Sequence, residues 1–477
     1  MNFIIVDLIL LVLFALFVTI FLYRKRENLY KEGALYLYKT QLGVKIINYV
    51  GGKYKKTLKV LSYVSMGIGY FLMIGIVYFM LDTTYKYLTT NIASIIKAPP
   101  LAPLIPYFPK LFGLESYFPP FYFIYFVLAL IIVATVHEFS HGIFARRYGI
   151  NIKSTGFAFL KYFPALFGAF VEQDDKQMQK ANKFEQMSVL SAGTFANVLT
   201  AILFYVLLFL FFTLTFTATG VVFNEYPAII ADMSIISSIG GISVENITYN
   251  NLLESVDEEG LKEVQVENQT YLINKELLED PRNKGVFDAG FAILYYDAPA
   301  INAGLGNIIT EINSVKIDSH EKLSEELMKY SPGEQVEIKT IEDKESVTYE
   351  IILGEHPEEE GRVWLGVGFY DNSRGFTQKL MGVFPTYKKP HVYYETENDV
   401  NEFIKDLLWW IFIINILVAL FNMLPLGILD GGRFFYLTIL SITKKEKIAD
   451  KSFKAMTWFI LLIFLVLMIK WVAGFVF

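Results

Sequence analysis

The chain has no cysteine, which excludes disulfides and thiolate metal sites. Charge is sparse: Asp, Glu, Lys and Arg make up 19% of the 477 residues, less than a soluble protein carries. No basic stretch interleaved with aromatics offers a footprint for nucleic acid, so nucleic acid is not expected as a partner. The sequence is instead apolar, with 54% hydrophobic and 16% aromatic residues. Several apolar runs approach the ~20 residues that cross a bilayer as a helix. The expected fold is mainly α: a polytopic membrane protein of about six transmembrane helices, with an α+β or mainly-β insert. The net charge of −6 matters less than where the charges fall.

Residues 3–23 form a first span. The cluster Arg24, Lys25, Arg26 follows it and no small-residue cleavage site appears, so the span reads as retained rather than as a signal peptide. Residues 24–59 carry about ten Lys and Arg and few acids, which the positive-inside rule assigns to a cytoplasmic loop within reach of anionic lipid. A second span, 61–81, leads to an outer loop rich in proline and aromatics, Ala98 and Pro103 among its residues. The third span starts at 121–136 and runs inward to Arg146 and Arg147. Residues 154–171 are apolar but broken by Gly156, Pro164 and Gly168, which fits a re-entrant hairpin whose edge could take an extended substrate as an added strand. Spans at 187–215, 406–424 and 457–477 complete the count, with Lys444, Lys445 and Lys447 on a further cytoplasmic loop.

The chain therefore divides into an N-terminal two-span region (1–120), a first core half (121–216), an insert (217–380) and a second core half (381–477). The insert is internally repeated. Pro227-Ala228-Ile229-Ile230-Ala231 and Pro299-Ala300-Ile301-Asn302-Ala303-Gly304-Leu305 each lead to an isoleucine-rich strand, a helix-like stretch and a closing strand. Both units, at about 217–280 and 285–375, resemble PDZ domains. The resemblance allows a peptide or protein ligand for the insert, but neither unit shows a strong carboxylate-binding loop, which favours a spacer or size filter that restricts access to the active site. His320, His356 and His391 carry no expected role.

Chemistry concentrates in two polar clusters at the cytoplasmic side of their spans. One is His137-Glu138-Phe139-Ser140-His141; two His at i and i+4 share a helix face and can hold one metal ion. The other holds Asn422 and Asp430. Ionisable groups at membrane depth are costly and mark function with a partner nearby. Two His and one Asp make a three-ligand site with an open position, and Glu138 stands beside it as a base toward water. A neighbouring amide, Asn422 or Asn197, is available to a developing oxyanion.

The H-E-F-S-H motif, the Gly193-x-x-x-Asn197 element and N-x-x-P-x-x-x-L-D-G from Asn422 to Gly431 together resemble the site-2 protease family of intramembrane zinc metalloproteases. The resemblance implies one zinc ion held by His137, His141 and Asp430. It makes Glu138 the catalytic base and Asn422 an oxyanion or water-positioning group. It also implies single-span membrane proteins as substrates and a multi-pass chain in the cell membrane. The active site would lie near the cytoplasmic side and the insert outside. The family commonly has Gly-Pro in the Gly-x-x-x-Asn element, where this chain has Gly193-Thr194. Two rival readings are a non-catalytic membrane scaffold whose insert binds partners and a metal transporter. The paired clusters argue against the first. The lack of repeated polar sites along the other spans argues against the second.

Overall fold

The computed structural model describes residues 3–90, 99–100, 104–115, 117–162, 167–244, 247–256, 260–280, 283–342, 345–370 and 386–476, the last three without their side chains. Ala98, Pro103 and Pro164 lie outside these residues. Two compact units emerge, residues 1–211 with 402–477, and residues 212–401.

The first unit is helical. Helix α1 (Phe3–Arg24) is followed by strands β1 (Leu29–Glu32) and β2 (Leu35–Thr40), then by helices α2 (Leu42–Lys53), α3 (Lys55–Thr89) and α4 (Phe123–Arg147). After α4 come strands β3 (Ile152–Leu160) and β4 (Phe167–Gln173) and helix α5 (Lys183–Thr215). The chain returns from the insert through α6 (Asp399–Asn422), α7 (Asp430–Thr443) and α8 (Glu446–Val476). Six of these helices, all but α2 and α7, are long and apolar enough to cross a bilayer. This is a multi-pass membrane architecture.

The N-terminal region is part of the core. Helix α3 buries Leu58, Ser62, Ser65, Gly69, Leu72 and Met73, a stripe at helical spacing. It is tied to three elements by polar contacts: Ser65 to Ser191 of α5 (2.6 Å), Ser62 to the Tyr148 hydroxyl just past α4 (2.8 Å), and Tyr70 to Thr438 of α7 (3.0 Å). In α1, the one acid of the apolar run has a structural partner. The Asp7 carboxylate accepts the backbone N–H of Phe123 (2.6 Å) and Ile124 (3.0 Å), and the Tyr107 hydroxyl (2.5 Å). Helix α4 has no acid in its first turn and no side-chain bond at its N-cap, so α1 satisfies its orphan donors.

Residues 24–59, expected as a free basic loop, are mostly structured. Strands β1 and β2 extend the β3–β4 hairpin into one antiparallel sheet of order β1-β2-β3-β4, with Thr40 opposite Thr155 and Leu35 opposite Leu160. The Lys39 ammonium reaches Glu172 across β3 at 2.8 Å, and Ser154 donates to the same carboxylate at 2.6 Å. Those two hydrogen bonds hold the Glu172 carboxyl below its ordinary range. Positive charge alone could not reveal this pairing, because it says where a loop lies and nothing of its backbone hydrogen bonds. Helix α7 is likewise unanticipated: Asp-Gly-Gly reads as a turn, yet 14 helical residues follow from Asp430.

The second unit holds two six-stranded sheets. In one, the strands run in the order 228–232, 291–296, 269–273, 262–266, 236–239, 242–243. In the other, the path is 345–352, 335–342, 308–312, 216–222, 392–396, with 315–316 paired to 308–312. This differs from the expected units at 217–280 and 285–375. The strand at 216–222 joins the later unit, Val221 opposite Ile309, and the strand at 291–296 joins the earlier one, Ala292 opposite Ala231. The earlier body is thus nested inside the later one. Alternating patterns locate strands but not their partners, and the boundary expected at 280–285 falls between two strands that pair with each other.

Candidate metal centre

Helix α4 brings His137 and His141 to one face, four residues apart. Helix α5 runs against that face with three positions at the same spacing. The Val189 carbonyl lies 2.6 Å from His141 Nδ1, and the Asn197 amide lies 3.1 Å from His137 Nδ1. Between them is Gly193. A Cβ there would sit 2.5 Å from His141 Nε2 and 2.7 Å from His137 Nε2, so any side chain would fill the space the two imidazoles converge on. That contact is a physical reason for Gly-x-x-x-Asn: the glycine leaves room for both rings and the asparagine, one turn on, holds one of them.

The third group arrives from α7. Pro425 cannot prolong α6, which ends at Asn422. The chain then folds back so tightly that a Cβ on Gly431 would lie 2.3 Å from the Met423 carbonyl, and one on Gly432 2.0 Å from that of Leu426. Only glycine fits either place. The fold-back sets Asp430 at the first position of α7, its Oδ2 3.2 Å from Nε2 of both His137 and His141, whose own Nε2 atoms are 3.0 Å apart. Among the described residues, these three form a group able to hold a metal ion. His137 is buried, with 7% of its surface exposed.

The donor set fits a divalent cation. Donating to the Val189 carbonyl commits the His141 Nδ1 proton and leaves Nε2 a lone pair. For His137, the two ends of the Asn197 amide are interchangeable by rotation, and as placed its Oδ1 is buried without a hydrogen-bond partner. Turned over, that oxygen accepts the His137 Nδ1 proton, and the second Nε2 also becomes a lone pair. Two lone pairs and a carboxylate oxygen then face one another at 3.0–3.2 Å with no proton to share. Zinc bonds of ~2.0 Å at tetrahedral angles put neighbouring ligand atoms about 3.3 Å apart, close to this spacing.

Two further residues flank the group. The Asn422 amide lies 3.5 Å from His137 Nε2. Glu138 Oε2 accepts the backbone N–H of Val171, in β4, at 3.1 Å. The structure therefore draws His137, His141, Asp430, Asn197 and Asn422 together and anchors Glu138 to the sheet. Asn197, one of the two amides offered to a developing oxyanion, contacts Nδ1 of His137, the ring nitrogen turned away from Asp430. The Val189 carbonyl left no trace in the sequence because it is backbone. His320, His356 and His391 belong to the other unit and pack on Phe369 or Trp364.

Comparison with known proteins gives two matches. The family model described as Peptidase family M50 matches residues 125–468. An uncharacterized protein of Methanocaldococcus jannaschii is 24% identical over 431 residues, spanning 89% of this chain and 83% of that relative. The family match begins inside α4, so α1, α2 and α3 all precede it.

Proposed function

This chain belongs to peptidase family M50, and from that premise we propose that it is a zinc-dependent intramembrane endopeptidase that cleaves the transmembrane segments of membrane-anchored proteins. The observation that carries the reading is the convergence of His137, His141 and Asp430, side chains up to 293 positions apart, in a chain with six membrane-crossing helices. A water-using metal site on such helices implies a substrate that is itself in the membrane.

His137, His141 and Asp430 would hold the zinc. The ion, when bound, supplies Lewis acidity toward a water and toward the scissile carbonyl. Glu138 takes the proton that the attacking water loses and delivers it to the leaving amine. The Asn422 amide, beside the His137 Nε2 that would ligate the ion, supplies N–H groups to the developing oxyanion. Asn197 and the Val189 carbonyl fix the two imidazole rings and their tautomers.

A helical substrate shields its amides, so it must unwind before attack. Strand β4 offers it a template, because it is an edge of the four-stranded sheet. The Val171 N–H points away from β3 toward Glu138. By strand alternation the backbone groups of Ala169 face the same open side, two residues from the base. An extended segment paired there is delivered alongside Glu138, each added hydrogen bond contributing about 1 kcal/mol.

The ends of α1, α3, α4 and α5 that carry Arg24, Lys55, Arg146 with Arg147, and Lys183 lie on one side by connectivity, and the positive-inside rule makes that side cytoplasmic. The active site then opens near the cytoplasm and the insert lies outside the cell membrane. Within the insert, a groove of about 240 Å³ lined by His320, Leu323, Leu327, Trp364, Leu365 and Phe369 supports peptide binding there over a purely passive filter. Beside it, Gly366 takes a φ of 81° within the glycine-rich stretch Leu365-Gly366-Val367-Gly368-Phe369.

The test is Glu138→Gln in purified protein with a single-span substrate. The variant is expected to keep its zinc and lose roughly 10²–10⁴-fold in cleavage rate. Cleavage at the parent rate would overturn the mechanism.

A further inference from the structure

Helix α2 is where the structure departs furthest from a soluble loop. It buries Gly43, Val44, Ile47 and Gly51. Those residues lie along the last turns of α4. A Cβ on Gly43 would come 2.6 Å from Phe139, one on Gly142 2.9 Å from Ile47, and one on Gly51 2.7 Å from the Ile143 carbonyl. The contacts advance together, 43 to 51 on one helix and 139 to 146 on the other, so α2 runs beside α4 in the same direction. Its start is level with the metal motif and its end with Arg146.

Among the described residues, none covers the opposite face. Leu42, Ile46 and Tyr49, spaced as one helical stripe, are 82%, 55% and 59% exposed. The stripe ends at Lys53, whose ammonium meets the Tyr49 hydroxyl at 2.6 Å and lies over the Tyr49 and Tyr54 rings. Exposed Lys55 and Lys56 follow, and α2 itself contains no acid. From Ile46 on, aliphatic, then tyrosine, then lysine is the order a bilayer imposes from hydrocarbon to headgroups; exposed Lys45, one turn before Tyr49 on the same face, reaches the headgroups along its own four-carbon stem. The order also runs the same way as α4, whose cationic end is Arg146 and Arg147.

We propose that α2 is a membrane-inserted half-helix, its Leu42–Ile46–Tyr49 stripe in lipid hydrocarbon and Lys53, Lys55 and Lys56 among anionic headgroups. The bilayer is then the outer wall that keeps Gly43 and Gly51 seated on the helix carrying His137, Glu138 and His141. Lipid composition acts on the metal-bearing helix through α2, from a segment that precedes the M50 match.

The absence of cysteine makes the test clean, since one introduced thiol carries one spin label. Leu42→Cys, Ile46→Cys, Tyr49→Cys and Lys53→Cys are labelled in the full chain, reconstituted in phosphatidylcholine vesicles with and without phosphatidylglycerol. Leu13→Cys on the exposed side of α1 is the lipid reference and Glu345→Cys in the insert is the water reference. Collisional accessibility to oxygen over a water-soluble nickel complex should match the lipid reference at 42 and fall in order through 46, 49 and 53. Phosphatidylglycerol should shift the 42 label deeper. Values at 42 and 46 equal to the water reference would overturn the proposal, as would dipolar broadening showing that a second copy covers the stripe. Equal depth in both lipids would remove the headgroup part. All these positions are exposed, so the labels leave the packed face intact, and the readout stands whether or not peptidase activity is found.

Discussion

Two carboxylates of the membrane unit, buried Asp7 and half-buried Asp430, differ in how they are satisfied. Asp7, on α1, receives three protein donors, two backbone N–H groups and a tyrosine hydroxyl. Asp430, on α7, is met by two imidazole nitrogens; the His141 Nδ1 proton goes to the Val189 carbonyl and, with the Asn197 amide turned over, the His137 Nδ1 proton goes to its oxygen. The first is a closed account of hydrogen bonds. The second is a convergence of acceptors, which repel one another until a cation joins them. Both are ionisable groups at membrane depth, the usual flag for function. Counting donors against acceptors tells the structural one from the chemical one.

That contrast can be broken by exchanging each acid for its amide. Asp430→Asn should lose high-affinity zinc, seen by equilibrium dialysis, and with it all measurable cleavage. Tight zinc in that variant would remove Asp430 from the ligand set. Next in size is Asn197→Ala, which frees the His137 ring without touching a ligand. Metal affinity should fall roughly 10–100-fold, as loss of a partner behind a metal-bound histidine does. Asn197→Asp, which restores an acceptor, should recover most of it. Asp7→Asn should leave zinc affinity unchanged and lower stability by about 1–3 kcal/mol, the cost of losing charge-assisted bonds at a buried helix end. A zinc deficit there would erase the distinction between the two acids.

The smallest effect belongs to the sheet. The folded-state pKa of Glu172 is depressed by Lys39 and Ser154. Its contribution is therefore present above the ordinary glutamate range, ~4.3, and lost as pH falls below it. The pair is about one-third exposed, and solvent screening keeps the effect within about 1 kcal/mol. Lys39→Met should flatten stability against pH in that acid window and leave it unchanged near neutrality apart from a small constant loss.

Much of the site was legible because its chemistry requires side chains that stand out in an apolar sequence. His137, Glu138, His141, Asn422 and Asp430 are polar groups in or beside membrane runs, at spacings a helix converts into proximity. The spans were legible for the same reason: hydrocarbon thickness sets their length. What escaped was carried by backbone or by pairing. The Val189 carbonyl has no sequence signal. The β1–β2 extension of the sheet, the nesting of the insert and the glycine seam between α2 and α4 depend on which segments meet, and local periodicity is silent on that. Asp7 did leave a signal, a lone acid in an apolar run, but its partner was the unmarked end of another helix.

The ladder of Val189, Gly193 and Asn197 against His141 and His137 has a mechanical consequence. Both rings are held by rungs of a single helix, so α5 works as a gauge for α4. Slipping it by one residue, about 1.5 Å and 100°, withdraws both partners at once and turns a bulkier neighbour into the gap that Gly193 keeps open. The centre is therefore sensitive to the relative height of two spans, a coordinate that bilayer thickness sets through hydrophobic mismatch.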